Sequence, residues 1–178
     1  MAMTNNPRVE ALPSKTAEVD PTLHAFGFKI EVLSPSLVCG CFRVSPICCQ
    51  PFKVLHGGVS ALIAESLASM GAHMASGFRR VAGIQLSINH HRPASLGDDV
   101  VAEARPIRAG KAIQVWEVRL WKVMAGERAH PQPAEEGERS DAGKGALLAS
   151  SSVTLLTSLP VPEESREAGE ALRKHAKL

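Results

Sequence analysis

Glu65 is where the chemistry of this sequence concentrates. It lies in a stretch over 57–76 that reads as one helix, apolar or small on every face, in which it is the only carboxylate and His73 the only other ionisable side chain. A helix apolar all round belongs in the centre of a fold. A carboxylate enclosed there costs several kcal/mol unless it is paired or hydrogen-bonded. Such an acid is either a structural group satisfied by neighbouring backbone, or one kept as a general base or nucleophile. The start of the helix favours the second reading. His56-Gly57-Gly58 presents unpaired N–H groups and the positive end of a helix dipole, with no side chain to block a ligand, and this suits a developing oxyanion. Ser69 lies four residues beyond Glu65, on the same helical face.

Gly57 and Glu65 are separated by eight residues, about 12 Å along a helix at 1.5 Å per residue. One reacting group cannot touch both. Two subunits with antiparallel helices would set Gly57 of one against Glu65 of the other, so this spacing calls for a dimer.

Other candidates have two readings each. His56 either caps the helix or positions a substrate. His90-His91-Arg92 is either a ligand contact or a solvated strand end. Arg108 and Lys111 flank a turn, where they could meet phosphates or simply confer solubility. Phe52, Met70, Met74 and Phe78 suit an apolar pocket or an ordinary core, and His73 reads as structural. Ser60 and Ser66 lack a neighbouring His-Asp arrangement, so no serine triad is indicated. Cys39, Cys41, Cys48 and Cys49 have neither disulfide-framework nor zinc spacing and are expected to be reduced, with no metal site.

The surrounding pattern supplies the elements that hold these residues. Residues 1–22 are polar and read as disordered. Two strands around Pro35 lie within 24–44, and 46–55 is a loop into the helix. Residues 81–91 alternate, with Ile84, Leu86 and Ile88 on one face, which predicts a half-buried strand. Strands over 99–107 and 111–123 join at a short turn, Trp116, Val118 and Leu120 sharing a face. A charged, Gly- and Pro-rich excursion over 126–145 reads as a mobile hairpin, 147–156 is the last strand, and 160–178 is a tail with one amphiphilic helix. The domain is therefore 23–159, an α+β layout of one antiparallel sheet and one helix. A helix apolar on all sides needs that sheet to curl round it, or a second subunit to close it.

Length and charge set outer limits. At 178 residues one domain is the default, and a net charge of +2 without a Lys/Arg block argues against nucleic acid. No membrane span or signal peptide is expected.

The run Gln50-Pro51-Phe52-Lys53-Val54-Leu55-His56-Gly57-Gly58, with Ala64-Glu65-Ser66, Val81-Ala82-Gly83-Ile84 and Ile88-Asn89-His90-His91-Arg92, resembles the hotdog-fold acyl-CoA thioesterases. The similarity covers roughly 23–156. The nearest branch is that of the Arthrobacter-type 4-hydroxybenzoyl-CoA thioesterase and the 1,4-dihydroxy-2-naphthoyl-CoA thioesterases, the plant peroxisomal ones above all. The resemblance implies a curled sheet wrapped around the central helix, a homodimer or dimer-of-dimers tetramer, and no cofactor. It implies hydrolysis of an acyl-CoA, 1,4-dihydroxy-2-naphthoyl-CoA of phylloquinone synthesis first, with other aromatic or fatty acyl-CoAs or a non-catalytic acyl-CoA-binding module as alternatives. Glu65 would be the catalytic carboxylate and Gly57 the N–H donor. His56 and Gln50 would position the carbonyl or water, and Ser69 would assist. His90, Arg92, Gly83, Arg108 and Lys111 would lie toward the CoA portion. The final Ala176-Lys177-Leu178 is a conservative variant of the Ser-Lys-Leu address. It predicts recognition by an import receptor and a peroxisomal location, on an accessible tail.

Overall fold

Runs of alternating apolar residues make six strands, and the long apolar stretch makes the helix they support. The structure, a computed structural model, describes residues 14–123, 145–163, 167 and 169–177. Short helices α1 (Lys15–Val19) and α2 (Pro21–Ala25) lead into β1 (Lys29–Leu33) and β2 (Val38–Arg43). A 3-10 turn (Pro46–Cys48) precedes α3 (Gly57–Ala75), followed by β3 (Arg80–His90), β4 (Asp99–Ala109), β5 (Ile113–Lys122), β6 (Leu147–Leu159) and α4 (Glu170–His175). All neighbouring strands are antiparallel, in the order β1-β2-β4-β5-β6-β3, and the sheet is not closed into a barrel. The α+β arrangement is thus the expected one, with β1 and β3 as its edges.

α3 packs across β2 to β6 over a core centred on Trp116, Val118 and Leu120, all fully buried. Gly71 lets it settle there, since a Cβ at that position would overlap the Trp116 ring. The indole N–H donates to Oε1 of buried Gln114 at 2.9 Å, so the ring's one polar atom is satisfied.

Three expectations change. Residues 14–22 are structured, not disordered. Ser14 and Asp20 cap α1 and α2 through their side chains, Pro21 stands in the first turn of α2, and Thr16 and Leu23 are buried. Second, β3 is not half-buried in the single chain. Its pairing with β6 slips between Gly83 and Gln85, making Ile84 an extra residue that breaks the alternation. Ile84 remains 53% and Leu86 36% exposed. Third, the tail is docked. Leu172 of α4 is buried, Lys174 and His175 meet Glu18 Oε2 at 2.7 and 2.9 Å, and the Lys177 N–H donates to Leu33 O at 2.7 Å. The hairpin excursion over 126–145 lies outside the described residues except for Gly145.

Candidate active site

The loop before α3 is stitched to the body by backbone bonds, with His56 N–H donating to Cys48 O and Leu55 N–H to Ala94 O, both at 2.8 Å. It delivers His56 as the N-cap of α3. The capping reading of this histidine therefore holds: Nδ1 accepts from Gly58 N–H at 2.9 Å. An accepting Nδ1 carries no proton, so a neutral His56 has its proton on Nε2. Val59 and Ser60 N–H both donate to His56 O. The first turn is thereby accounted for except at Gly57, whose N–H has no hydrogen-bond partner among the described residues. Gly57 is the open donor at the positive end of the helix.

Two groups of predicted residues come together at different heights along α3. At its start, the His90 ring lies over Gly57, where an added Cβ would stand 3.2 Å from His90 Cε1. Eight residues on, Ser69 Oγ donates to Glu65 Oε1 at 2.9 Å. Gly83 of β3 faces the same oxygen, with 2.8 Å between Glu65 Oε1 and the position a Cβ would take. Gly83 thus makes room for the carboxylate. In a regular strand, Gly83 and His90, seven residues apart, would point to opposite faces. The bulge at Ile84 removes that mismatch and turns both toward α3. Among the described residues of one chain, no hydrogen bond links the Gly57 end to Glu65.

Glu65 is half-buried rather than enclosed, which corrects the expectation of an acid sealed in the core. Ala61, Leu62, Glu65, Ser66, Ser69 and His73 form a half-buried stripe on α3, while Ile63, Ala64, Leu67 and Ala68 are fully covered by the sheet. This stripe meets β3, the strand that carries exposed Ile84 and Leu86, where Glu65 lies against Gly83.

The remaining candidates are placed as follows. Gln50 Oε1 accepts from Phe52 N–H at 2.9 Å in the turn before α3. Arg92 is exposed just beyond β3, with Nη1 donating to Leu147 O at 3.3 Å, and neighbouring His91 Nε2 lies 2.8 Å from Ser150 Oγ. Arg108 and Lys111 are exposed at the β4–β5 turn and hydrogen-bond to neither group; Lys111 O accepts from Thr157 and Ser158 of β6. Met70 and Met74 are core residues, whereas Phe52 is 86% exposed. His73 is structural, its Nδ1 2.7 Å from Arg79 O and its ring edge-on to Phe78. Burial holds the Cys39 thiol up at about 12 and the Cys41 thiol at about 11, so both stay protonated and neither is a nucleophile.

One residue of this region was passed over in the sequence. Ser60, set aside for want of a triad, is buried and bonds both Gly57 O and His90. Its spacing, three residues after Gly57 on the first turn, was the available signal.

Residues 52–126 match the thioesterase superfamily, a span that contains α3, β3, β4 and β5. The chain is 50% identical over 156 residues, 88% of its own length and 91% of the relative's, to the 1,4-dihydroxy-2-naphthoyl-CoA thioesterase 2 of Arabidopsis thaliana. It is 36% identical over 73 residues, 53% of that relative, to the 1,4-dihydroxy-2-naphthoyl-CoA hydrolase of Escherichia coli. Among solved structures, AziG of S. sahachiroi superposes with a TM-score of 0.64 at 26% identity, covering 80% of this chain and 99% of that one. A thioesterase from Haemophilus influenzae superposes with a TM-score of 0.57 at 28% identity, covering 78% and 84%. With half its residues shared over nearly its whole length with a named thioesterase, and with that fold around it, the chain belongs to the thioesterase superfamily and is a hotdog-fold thioester hydrolase.

Proposed function

We propose that the protein hydrolyses 1,4-dihydroxy-2-naphthoyl-CoA to 1,4-dihydroxy-2-naphthoate and CoA, a step of phylloquinone synthesis, at a site shared by two subunits. The substrate rests on the near full-length likeness to the Arabidopsis enzyme. The shared site rests on one observation: Glu65 is seated against Gly83 and the open Gly57 donor lies beneath His90, on the same strand. β3 is an edge strand with exposed apolar residues, the kind of edge that pairs with another chain. An antiparallel β3–β3 pairing that sets Gly83 opposite His90 of the partner subunit carries Glu65 toward Gly57 of the partner subunit. It also covers the open stripe of α3. A homodimer is the minimal unit, and a tetramer would be a dimer of such dimers.

In that site the Gly57 N–H receives the thioester oxygen as it becomes an oxyanion, aided by the helix dipole. Glu65, one oxygen held by Ser69, either takes a proton from the attacking water or attacks the carbonyl to give a mixed anhydride that water then opens. In both routes the C–S bond breaks and CoA leaves as thiol once protonated. The Nε2–H of His56 and the amide of Gln50 serve as further polar contacts to carbonyl or water. Arg92, two residues beyond His90, is the cation assigned to the CoA portion, with Arg108 and Lys111 as further candidates.

A thiol-release panel of dihydroxynaphthoyl-, benzoyl- and fatty acyl-CoA tests this reading. The naphthoyl substrate should have the highest kcat/KM, and Glu65→Gln should abolish turnover while retaining binding. Preference for a fatty acyl-CoA would reject the substrate, and a Glu65→Gln variant that keeps most of its kcat would reject the chemistry.

We also propose a peroxisomal location through Ala176-Lys177-Leu178. Because the Lys177 N–H is bonded to Leu33 O, receptor binding requires the segment that follows α4 to release. Deleting the three residues should move the protein to the cytosol with purified activity unchanged; retained import, without a full-length partner present, would reject the proposal.

A further inference from the structure

We infer that Ser60 is a positioning residue for this reaction, locking the oxyanion donor Gly57 and fixing the tautomer of His90; the inference rests on the reading of Gly57 above. Ser60 is 1% exposed, and its hydroxyl sits between two partners, Gly57 O and His90 Nε2, each at 2.8 Å. A serine hydroxyl has one proton. The Gly57 carbonyl can only accept, so that proton goes to it. The hydroxyl must then accept from His90, which places a proton on Nε2 of that ring. A neutral His90 is therefore the Nε2–H tautomer, with Nδ1 left as an acceptor.

The consequence falls on the first turn of α3. Glycine at positions 57 and 58 opens the helix start to a ligand but leaves the backbone free to rotate. Ser60 replaces the lost restraint by holding the Gly57 carbonyl from within the helix. His90, held in turn by Ser60, lies over the Gly57 Cα, with Cε1 3.2 Å from where a side chain would begin. The unpaired Gly57 N–H is so pinned before substrate arrives. An oxyanion donor is effective to the degree that it needs no reorganisation during reaction. The pair is also a link between strand and helix, since His90 ends β3 and Ser60 sits in the first turn of α3.

Long-range 1H–15N correlation of the imidazoles in the unmodified protein, at a pH where they are neutral, reads the tautomer directly. His90 should carry its proton on Nε2, and an Nδ1–H tautomer overturns the inference without any variant. Ser60→Ala should release the tautomer and lower kcat about tenfold, as expected for one lost positioning hydrogen bond, with KM nearly unchanged. Ser60→Thr, which keeps the hydroxyl, should restore most of kcat. A folded Ser60→Ala protein with wild-type kcat and an unchanged His90 tautomer overturns the positioning role. Glu65→Gln measured alongside separates the two levels. An inert Glu65→Gln with a fully active Ser60→Ala rejects Ser60 and keeps the thioesterase chemistry; an active Glu65→Gln rejects that chemistry, and the His90 tautomer still decides the Ser60 bond.

Discussion

Glu65 and Gly83 form the tightest pair in the proposed site, and their contact shows what a single carbon atom would do. A Cβ on Gly83 would stand 2.8 Å from Glu65 Oε1, closer than real Cβ contacts allow. The obstructing atom is the end of a flexible side chain, so the carboxylate would move while the fold stayed intact. Gly83→Ala is therefore expected to lower kcat about ten- to a hundredfold, the scale of a misplacement near 1 Å, with little change in thermal midpoint. Steady-state kinetics beside a melting curve checks this. A wild-type kcat would show that the carboxylate's seat on β3 is irrelevant to turnover. The sequence singled out Glu65 as the one carboxylate of an apolar helix, Gly57 because it opens that helix, and Ser69 because it lies four residues beyond Glu65 on the same face. It could not carry the role of Gly83, which depends on a contact between two elements, nor that of Ser60, which looks like any small residue until His90 is brought above it.

At the scale of elements, the proposed shared site depends on β3. Its free edge and exposed Ile84 and Leu86 are an uncovered apolar surface on an unpaired strand. Introducing charge there, as in the double variant Ile84→Glu and Leu86→Lys, is expected to yield monomers and to abolish turnover although Glu65 and Gly57 remain. Light scattering coupled to size exclusion, with activity on the same fractions, checks both. An active monomer would contradict the pairing. The strand was legible from its alternation, but the bulge at Ile84 was not, because an inserted residue leaves the hydrophobic pattern almost unaltered while reversing the side chains before it. α1 and α2 escaped for another reason. Each has five residues, too short for a helical period, and only the caps Ser14 and Asp20 and the Pro21 start announced them. The long helix was legible along its whole length, and what the sequence left open was how it is covered. The sheet buries one side, and the stripe through Glu65 and Ser69 stays half open in the single chain.

For the whole molecule, the proposed dimer turns a geometric obstacle into the design of the site. Eight helical residues hold Gly57 and Glu65 about 12 Å apart, whereas one carbonyl must meet an N–H donor and a carboxylate within about 3 Å of the reacting atoms. The proposed two-fold pairing of β3 edges would bring the two groups together from opposite chains and make two equivalent sites. The most direct measurement is activity of purified heterodimers, co-expressed with two different tags, joining a Glu65→Gln chain to a Gly57→Val chain. One site of such a dimer carries both defects, while the other combines an intact Glu65 with an intact Gly57 from the opposite subunit. The account predicts about half the wild-type activity per dimer from two inactive parents, since one of two sites is restored. Folded, paired heterodimers no more active than either parent homodimer would contradict it and require Gly57 and Glu65 to act within a single chain.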